Sequence, residues 1–237
     1  MRTRGETKAR TALPVFIVNF KNYAAILGEG AFKLAEEAER VAESLGVEMI
    51  LAPPVPMLRS VASTTSLPVF SQRVDDREEG KSTGAVIPEA LRESGCAGSL
   101  LNHSESRLPS ESIRAIIPRM KRLGLSTCLC AESAPEVASL SSFEPEYLAI
   151  EPPELIGTGI AVSKARPEVV RSSVAAARAN GYRGRVLCGA GIVTGEDAAT
   201  ALRLGAQGIL VASSVVNAKG DWEGKLRELS SGLTSLP

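Results

Sequence analysis

The 237-residue sequence has few aromatic side chains, a single histidine and no net charge. Aromatic residues make up only 4% of the chain, which argues against the stacking platforms that bind single-stranded nucleic acid. Lys plus Arg and Asp plus Glu each total 27, so no overall field attracts nucleic acid or an anionic membrane. No apolar run approaches the roughly 18 residues of a membrane span, so no membrane partner is expected. An anionic ligand would therefore need a local site.

The cysteines are also few and are not arranged as metal ligands. Cys96, Cys128, Cys130 and Cys188 form no C-x-x-C pair, and with His103 as the only histidine a zinc site lacks plausible ligands. Three of the four lie in apolar, strand-like runs, which predicts buried, reduced thiols. Reduced thiols suit the cytosol, and a cytoplasmic protein is expected. No metal site is predicted.

Eight short apolar runs alternate with helical patterns along the chain. The charged residues 1–12 lack the apolar segment of a signal peptide, which predicts a flexible tail before one domain, residues 13–237. The apolar residues in these runs do not alternate with polar ones, as they would in strands with one solvent-exposed face. This indicates a parallel sheet covered by helices. A repeat of roughly 27 residues favours a closed (β/α)8 barrel, although the pattern alone does not separate it from an open doubly wound sheet. The runs lie near 15–20, 47–52, 67–72, 97–101, 125–130, 146–150, 185–189 and 207–211.

Polar and small residues follow several of these predicted strands. In a barrel of this kind the active site lies at the C-terminal ends of the strands. Small residues after the last two strands leave backbone amides open to a phosphate. The strand ends supply Asn19-Phe20-Lys21 after the first, Asn102-His103-Ser104-Glu105 after the fourth, Glu151 after the sixth, Gly189-Ala190-Gly191 after the seventh and Ala212-Ser213 after the eighth.

Three of these motifs, taken in order, resemble the triosephosphate isomerases. They are Asn-x-Lys after strand one, Asn-His-Ser-Glu after strand four and Ile-Glu-Pro-Pro-Glu-Leu-Ile-Gly-Thr-Gly after strand six. The resemblance extends from about residue 15 to the C-terminus, and the compact length and the Glu-Pro-Pro-Glu-Leu segment are similar to the archaeal branch. It implies a cofactor-free enzyme of glycolysis and gluconeogenesis that interconverts glyceraldehyde 3-phosphate and dihydroxyacetone phosphate.

The resemblance implies a catalytic role for four residues. Glu151 is expected to be the base that moves a proton between neighbouring carbons. His103 precedes residues 104–106, where a helical turn would keep the ring neutral and able to donate a hydrogen bond to the substrate carbonyl. Lys21 is expected to stabilise the enediolate and the phosphate, and Asn19 to supply a side-chain hydrogen bond.

The resemblance also implies supporting and phosphate-binding residues. Glu105 is expected beside Lys21 or His103, and Gln72 beside Asn19 or Lys21. Residues 152–159 are expected to form a lid, in which Glu154 replaces the tryptophan of many relatives. Gly189-Ala190-Gly191 does not continue as a dinucleotide fingerprint, so no nicotinamide cofactor is expected. The expected substrate-binding residues are Asn19, Lys21, Ile156, Gly157, Gly191, Ala212 and Ser213.

The loop after strand three is expected at a subunit interface. In the family this loop reaches into a neighbouring subunit, and here it resembles Lys81-Ser82-Thr83-Gly84, with Thr83 at the partner's site. A homo-oligomer follows, either a dimer or the tetramer that the archaeal-like features favour. Two other functions stay open. One is a different phosphate-binding enzyme on the same fold, such as another sugar-phosphate isomerase, an epimerase, or an aldolase with Lys21 as its Schiff-base lysine. The other is a non-catalytic protein that binds phosphate.

Overall fold

Every one of the eight apolar runs forms a parallel strand. The computed structural model describes residues 13–156, 159 and 161–235, so the predicted tail of residues 1–12 lies outside the described residues. Valine, isoleucine and leucine in these runs are buried on both faces of the sheet, as parallel strands covered by helices require. The strands are β1 (Val15–Asn19), β2 (Glu48–Ala52), β3 (Phe70–Ser71), β4 (Gly98–Leu101), β5 (Ser126–Ala131), β6 (Tyr147–Ile150), β7 (Arg185–Cys188) and β8 (Gly208–Val211).

The sheet closes on itself. The strand order is β2-β1-β8-β7-β6-β5-β4-β3, and a parallel bridge joins Leu51 of β2 to Val69, the residue directly before β3. The Leu51 amide also donates to the Pro68 carbonyl at 3.0 Å. The (β/α)8 barrel predicted from the sequence is therefore confirmed, and the open doubly wound sheet is wrong.

Helices connect the strands and cover the outside of the barrel. In α1 the buried Leu34, Ala38 and Val41 lie on one face, and Gly46 ends the helix in the left-handed conformation at φ 64°. Helix α8 begins with a complete capping box, in which the side chains of Thr194 and Asp197 each accept from the other's backbone amide. The described helices are α1 (Glu29–Leu45), α2 (Leu58–Ala62), α3 (Pro88–Glu93), α4 (Ser110–Arg122), α5 (Ala134–Ser141), α6 (Val162–Ala165), α7 (Pro167–Ala179), α8 (Gly195–Arg203), α9 (Ser213–Val216) and α10 (Trp222–Thr234).

Two apolar layers hold the barrel together. One fills its interior, with Ile17, Leu100 and Leu187 among its members, and the other packs the outer face of the strands against the helices. All four cysteines are buried and unpaired, as the sequence predicts. Within the described part of the chain, no helix is long and apolar enough to cross a membrane. The two apolar layers hold the strands in place, and the polar residues singled out in the sequence lie at the C-terminal ends of these strands.

Candidate active site

A cavity of about 260 Å³ opens at the C-terminal ends of the strands. It brings together side chains from the ends of β1, β4 and β6 with the loops after β7 and β8, although these segments are far apart in the sequence. The expected residues that line it are Lys21, His103, Glu151, Ile156, Gly191, Ala212 and Ser213.

Glu151 is buried at the end of β6, where the sequence predicts the base. Its amide donates to the Ala131 carbonyl at 2.8 Å, and its side chain is only 3% exposed. Its Oε1 lies 3.7 Å from His103 Nε2, while Oε2 has no hydrogen-bond partner among the described residues. Burial raises the pKa of the Glu151 carboxyl, and the hydrogen bond from the Cys130 thiol and the charge of Lys21 offset this only in part. A carboxylate held in this way is a strong base that faces the cavity.

His103 is oriented by the backbone that follows it. The Glu105 amide donates to His103 Nδ1 at 3.1 Å, so this nitrogen carries no proton and the ring's proton is on Nε2. The Ser106 amide donates to the His103 carbonyl at 2.7 Å, which makes residues 103–106 a turn. The expected helix does not begin here, since α4 starts only at Ser110. A single backbone amide, in place of a helix terminus, orients the ring of His103 and leaves Nε2 facing Glu151.

Lys21 is held in an unusual backbone conformation. Its φ of 47° is rare for a residue with a side chain and is found mostly at functional sites. The Lys21 amide donates to Asn19 Oδ1 at 3.0 Å, and Gln72 Nε2 donates to the Lys21 carbonyl at 3.1 Å. Lys21 Nζ lies 2.6 Å from Glu105 Oε1. Asn19 and Gln72 thus shape the turn that aims the ammonium group, and Glu105 contacts both Lys21 and His103.

The expected phosphate loops border the other side of the cavity. Gly191 has φ 69°, a conformation that side chains disfavour, and Ser213 begins α9 directly after Ala212. Ile156 follows a 3₁₀ turn, Pro153–Leu155, in the predicted lid. Gly157, also expected to bind substrate, lies outside the described residues. An ion pair joins Glu154 in the predicted lid to Arg166, between α6 and α7. The sequence did not predict this contact.

Gly189 contacts the Glu151 side chain, which the motifs alone did not reveal. A Cβ atom at this glycine would lie 2.4 Å from Glu151 Cγ and 3.1 Å from Oε1. The Glu151 side chain therefore packs directly over the backbone at the end of β7. In the sequence, Gly189 is visible only as a small residue after an apolar run. That pattern does not indicate which side chain packs against it. Cys130, Tyr23 and Asn217 were likewise not predicted at the site.

Replacing Gly189 with alanine is expected to displace Glu151 and to lower kcat by roughly 100-fold, since a misplacement of about 1 Å has effects of this size. Steady-state kinetics on the folded variant measure it. Gly232→Ala is the matched control, because its Cβ would lie 2.0 Å from the Gly195 carbonyl oxygen, between α8 and α10. It should lower the melting temperature and leave kcat close to wild type. Equal kcat values for the two variants would contradict the role of Gly189.

Comparisons with known proteins identify the family. The triosephosphate isomerase family model matches residues 14–224. The triosephosphate isomerase of Methanosarcina barkeri is 46% identical over 206 residues, which cover 87% of this chain and 93% of that protein. Those of Methanocaldococcus jannaschii and Caldivirga maquilingensis are each 42% identical, over 91% and 93% of this chain and 98% of their own lengths. With its closed barrel and its strand-end Glu, His and Lys, this chain belongs to the triosephosphate isomerase family.

Proposed function

We propose that this protein interconverts glyceraldehyde 3-phosphate and dihydroxyacetone phosphate by proton transfer through an enediolate, as a step of glycolysis and gluconeogenesis. The observation that carries the proposal is the convergence of Glu151, His103 and Lys21 on one cavity bordered by two loops of small residues. A buried carboxylate, a neutral imidazole and an ammonium group suit an isomerisation that passes through an anion.

The proposed reaction begins with the Glu151 carboxylate. It removes a proton from the carbon next to the substrate carbonyl, and the electron pair of the C–H bond moves to form the enediolate. The Glu151 carboxylic acid then returns the proton to the neighbouring carbon. One carbon is oxidised and its neighbour is reduced, so the step balances without an external oxidant, reductant or cofactor.

His103 and Lys21 are proposed to stabilise the charge that develops on oxygen. Nε2–H of His103 donates to the substrate oxygens, and its neutral state allows the proton to pass between them. Lys21 supplies the positive charge that favours the enediolate and the phosphate. Gly191, Ala212 and Ser213 supply backbone amides to the phosphate. Closure of residues 152–159 over the substrate, which would exclude water, stays a prediction.

The test is turnover by the purified wild-type protein. Dihydroxyacetone phosphate formed from glyceraldehyde 3-phosphate is reduced by glycerol-3-phosphate dehydrogenase, and the loss of NADH is recorded. The proposal expects rapid turnover and, in D₂O, deuterium at the carbon that receives the proton. A folded protein without turnover would overturn it and would favour the alternative of a non-catalytic phosphate-binding protein.

The aldolase alternative is disfavoured by the environment of Lys21. A Schiff-base lysine attacks as the neutral amine, usually in a desolvated pocket or beside another cation. Lys21 Nζ instead lies beside a carboxylate, 2.6 Å from Glu105 Oε1, which is not the environment of a Schiff-base lysine. Treatment with borohydride in the presence of dihydroxyacetone phosphate distinguishes the two functions. An isomerase keeps its activity, whereas a Schiff-base enzyme is trapped and inactivated.

We further propose that the protein forms a homo-oligomer through the loop after β3. A second cavity of about 410 Å³ adjoins the first and is bordered by Asn19, Lys21, Gln72 and Arg73. Thr83 is exposed in the single chain, so its loop is available to fill this cavity in a second copy. In the oligomer, the loop of the second copy would cover the side of Lys21 that faces this second cavity. A dimer, or a tetramer built from two dimers, satisfies this contact.

Replacing Thr83 with arginine is expected to dissociate the oligomer and to reduce activity at least tenfold, because a large charged side chain would not fit a filled cavity. Light scattering after size exclusion measures the mass, and the coupled assay measures turnover. Ser63→Arg, at the exposed end of α2, is the control that should change neither. A wild-type monomer with full activity would rule the interface out.

A further inference from the structure

Asp197 lies between α6 and the loop after β7, which borders the active-site cavity. It occupies the first turn of α8 and is 4% exposed. Its Oδ2 accepts from the amides of Val193, at 3.1 Å, and Thr194, at 2.8 Å, both in the loop after β7. Its Oδ1 lies 2.6 Å from Nζ of Lys164, in α6. One carboxylate therefore contacts the loop after β7 and the helix that follows the predicted lid.

Two further contacts join the same segments. The Val162 amide donates to the Ala190 carbonyl at 3.1 Å. Ser163 Oγ donates to the Asp197 carbonyl at 3.3 Å. Three consecutive residues, 162–164, thus each contact the stretch that begins with the loop after β7. The loop after β7, which forms one wall of the cavity, is therefore connected to α6 through Ala190 and Asp197.

The Asp197 carboxylate is stabilised in its charged form. Burial alone raises the pKa of this carboxyl, but the ion pair with Lys164 and the hydrogen bonds from Thr194 and Val193 outweigh burial and lower it. A buried charge is retained only when it is paired, so Lys164 supports the charge on which the loop amides depend.

The loop after β7 also has anchors on α10, which do not depend on Lys164. Lys225 Nζ donates to the Val193 carbonyl at 3.2 Å, and the Gly195 amide donates to Glu228 Oε1 at 3.3 Å. We expect these contacts to keep the loop folded when the ion pair is removed. The ion pair therefore acts on the position of the loop relative to α6 more than on its folding.

We infer that Asp197 and Lys164 are positioning residues that hold the loop after β7 and the start of α6 in the geometry that binds the phosphate of the substrate. The inference rests on the proposed function, which places that phosphate against Gly191. Neither side chain lines the cavity, so both act through the backbone of the loop. Their effect should appear in phosphate affinity and not in the proton-transfer step.

The test is a double-mutant cycle of Lys164→Gln and Asp197→Asn. Each variant is expected to raise KM for glyceraldehyde 3-phosphate and the Kd for inorganic phosphate by about 5- to 10-fold, with kcat changed by less than about twofold. The double variant should be no worse than Asp197→Asn alone, because the two residues act as one pair. Lys164→Arg, which restores the cation, should recover most of the affinity. Steady-state kinetics and calorimetric titration with phosphate measure these effects.

Arg203→Met is the matched control, because Arg203 forms an ion pair with Glu196 on the exposed face of the same helix. It should leave KM and the phosphate Kd unchanged. The inference is overturned if Lys164→Gln lowers only the melting temperature, or if the two substitutions are additive. Lys164 is half exposed, so this variant should fold even if Asp197→Asn does not. Absence of turnover in the wild type would count against the proposed function alone, since the phosphate titration tests the pair separately.

Discussion

Glu151→Gln is expected to lower kcat by roughly 10²- to 10⁴-fold, the range that general-base catalysis contributes. Glutamine keeps the shape of the side chain but does not accept the proton from carbon. The coupled assay measures the loss, and deuterium exchange in D₂O reports whether any proton transfer remains. Glu168→Gln, at an exposed glutamate in the first turn of α7, is the control and should remain fully active. A Glu151→Gln variant with near wild-type turnover would show that another group is the base.

The same substitution is expected to stabilise the folded protein at neutral pH. Burial raises the pKa of Glu151, so ionising this group disfavours the folded state, and the effect is fully present above the folded pKa. Below the ordinary glutamate value of 4.5 the carboxyl is protonated in both states, and the effect disappears. The urea midpoint of Glu151→Gln should therefore exceed that of the wild type at pH 8, and the difference should shrink as the pH falls toward 4.5. A lower midpoint at pH 8 would contradict the account of burial.

Lys21→Met is expected to lower kcat/KM by roughly 10²- to 10³-fold, because the substitution removes the positive charge beside the developing enediolate. Methionine retains much of the apolar stem, so the loss reports on the ammonium group. Steady-state kinetics and binding of inorganic phosphate separate an effect on the reaction from an effect on affinity. The strain at φ 47° is set by the backbone and should persist in the variant.

The control for Lys21→Met is Lys33→Met. Lys33 pairs with Glu29 on the exposed surface of α1, where a single ion pair contributes little. Its loss should leave kcat/KM within about twofold of the wild type. If both substitutions had the same small effect, Lys21 would be an ordinary surface lysine. Lys21→Arg should recover only part of the activity, because the larger guanidinium group does not reproduce the contact with Glu105.

The sequence by itself determined the eight strands and some of the helices. Short runs of valine, isoleucine and leucine predict parallel strands, because this pattern depends only on residues that are adjacent in the sequence. Helix caps, such as Gly46 and the Thr194–Asp197 capping box, also depend on residues close together in the sequence. The position of Glu151 at a strand end followed from the same pattern. Its expected role came from the motifs, because three of them in series resemble one family. Strand β3 was the weakest case, since only Phe70–Ser71 pairs regularly with β4.

Only the tertiary structure decided how the site residues contact one another. Lys21 and Glu105 are 84 positions apart, and Ser163 and Asp197 are 34 apart, so no local pattern links either pair. The closeness of Gly189 to the Glu151 side chain depends on the register between β6 and β7, where Ile150 lies beside Cys188. Sequence periodicity specifies which face of a helix or strand is buried, because the side chains on one face recur at the period of that element. Contacts between elements arise only when the barrel closes and sets the distance between the ends of its strands.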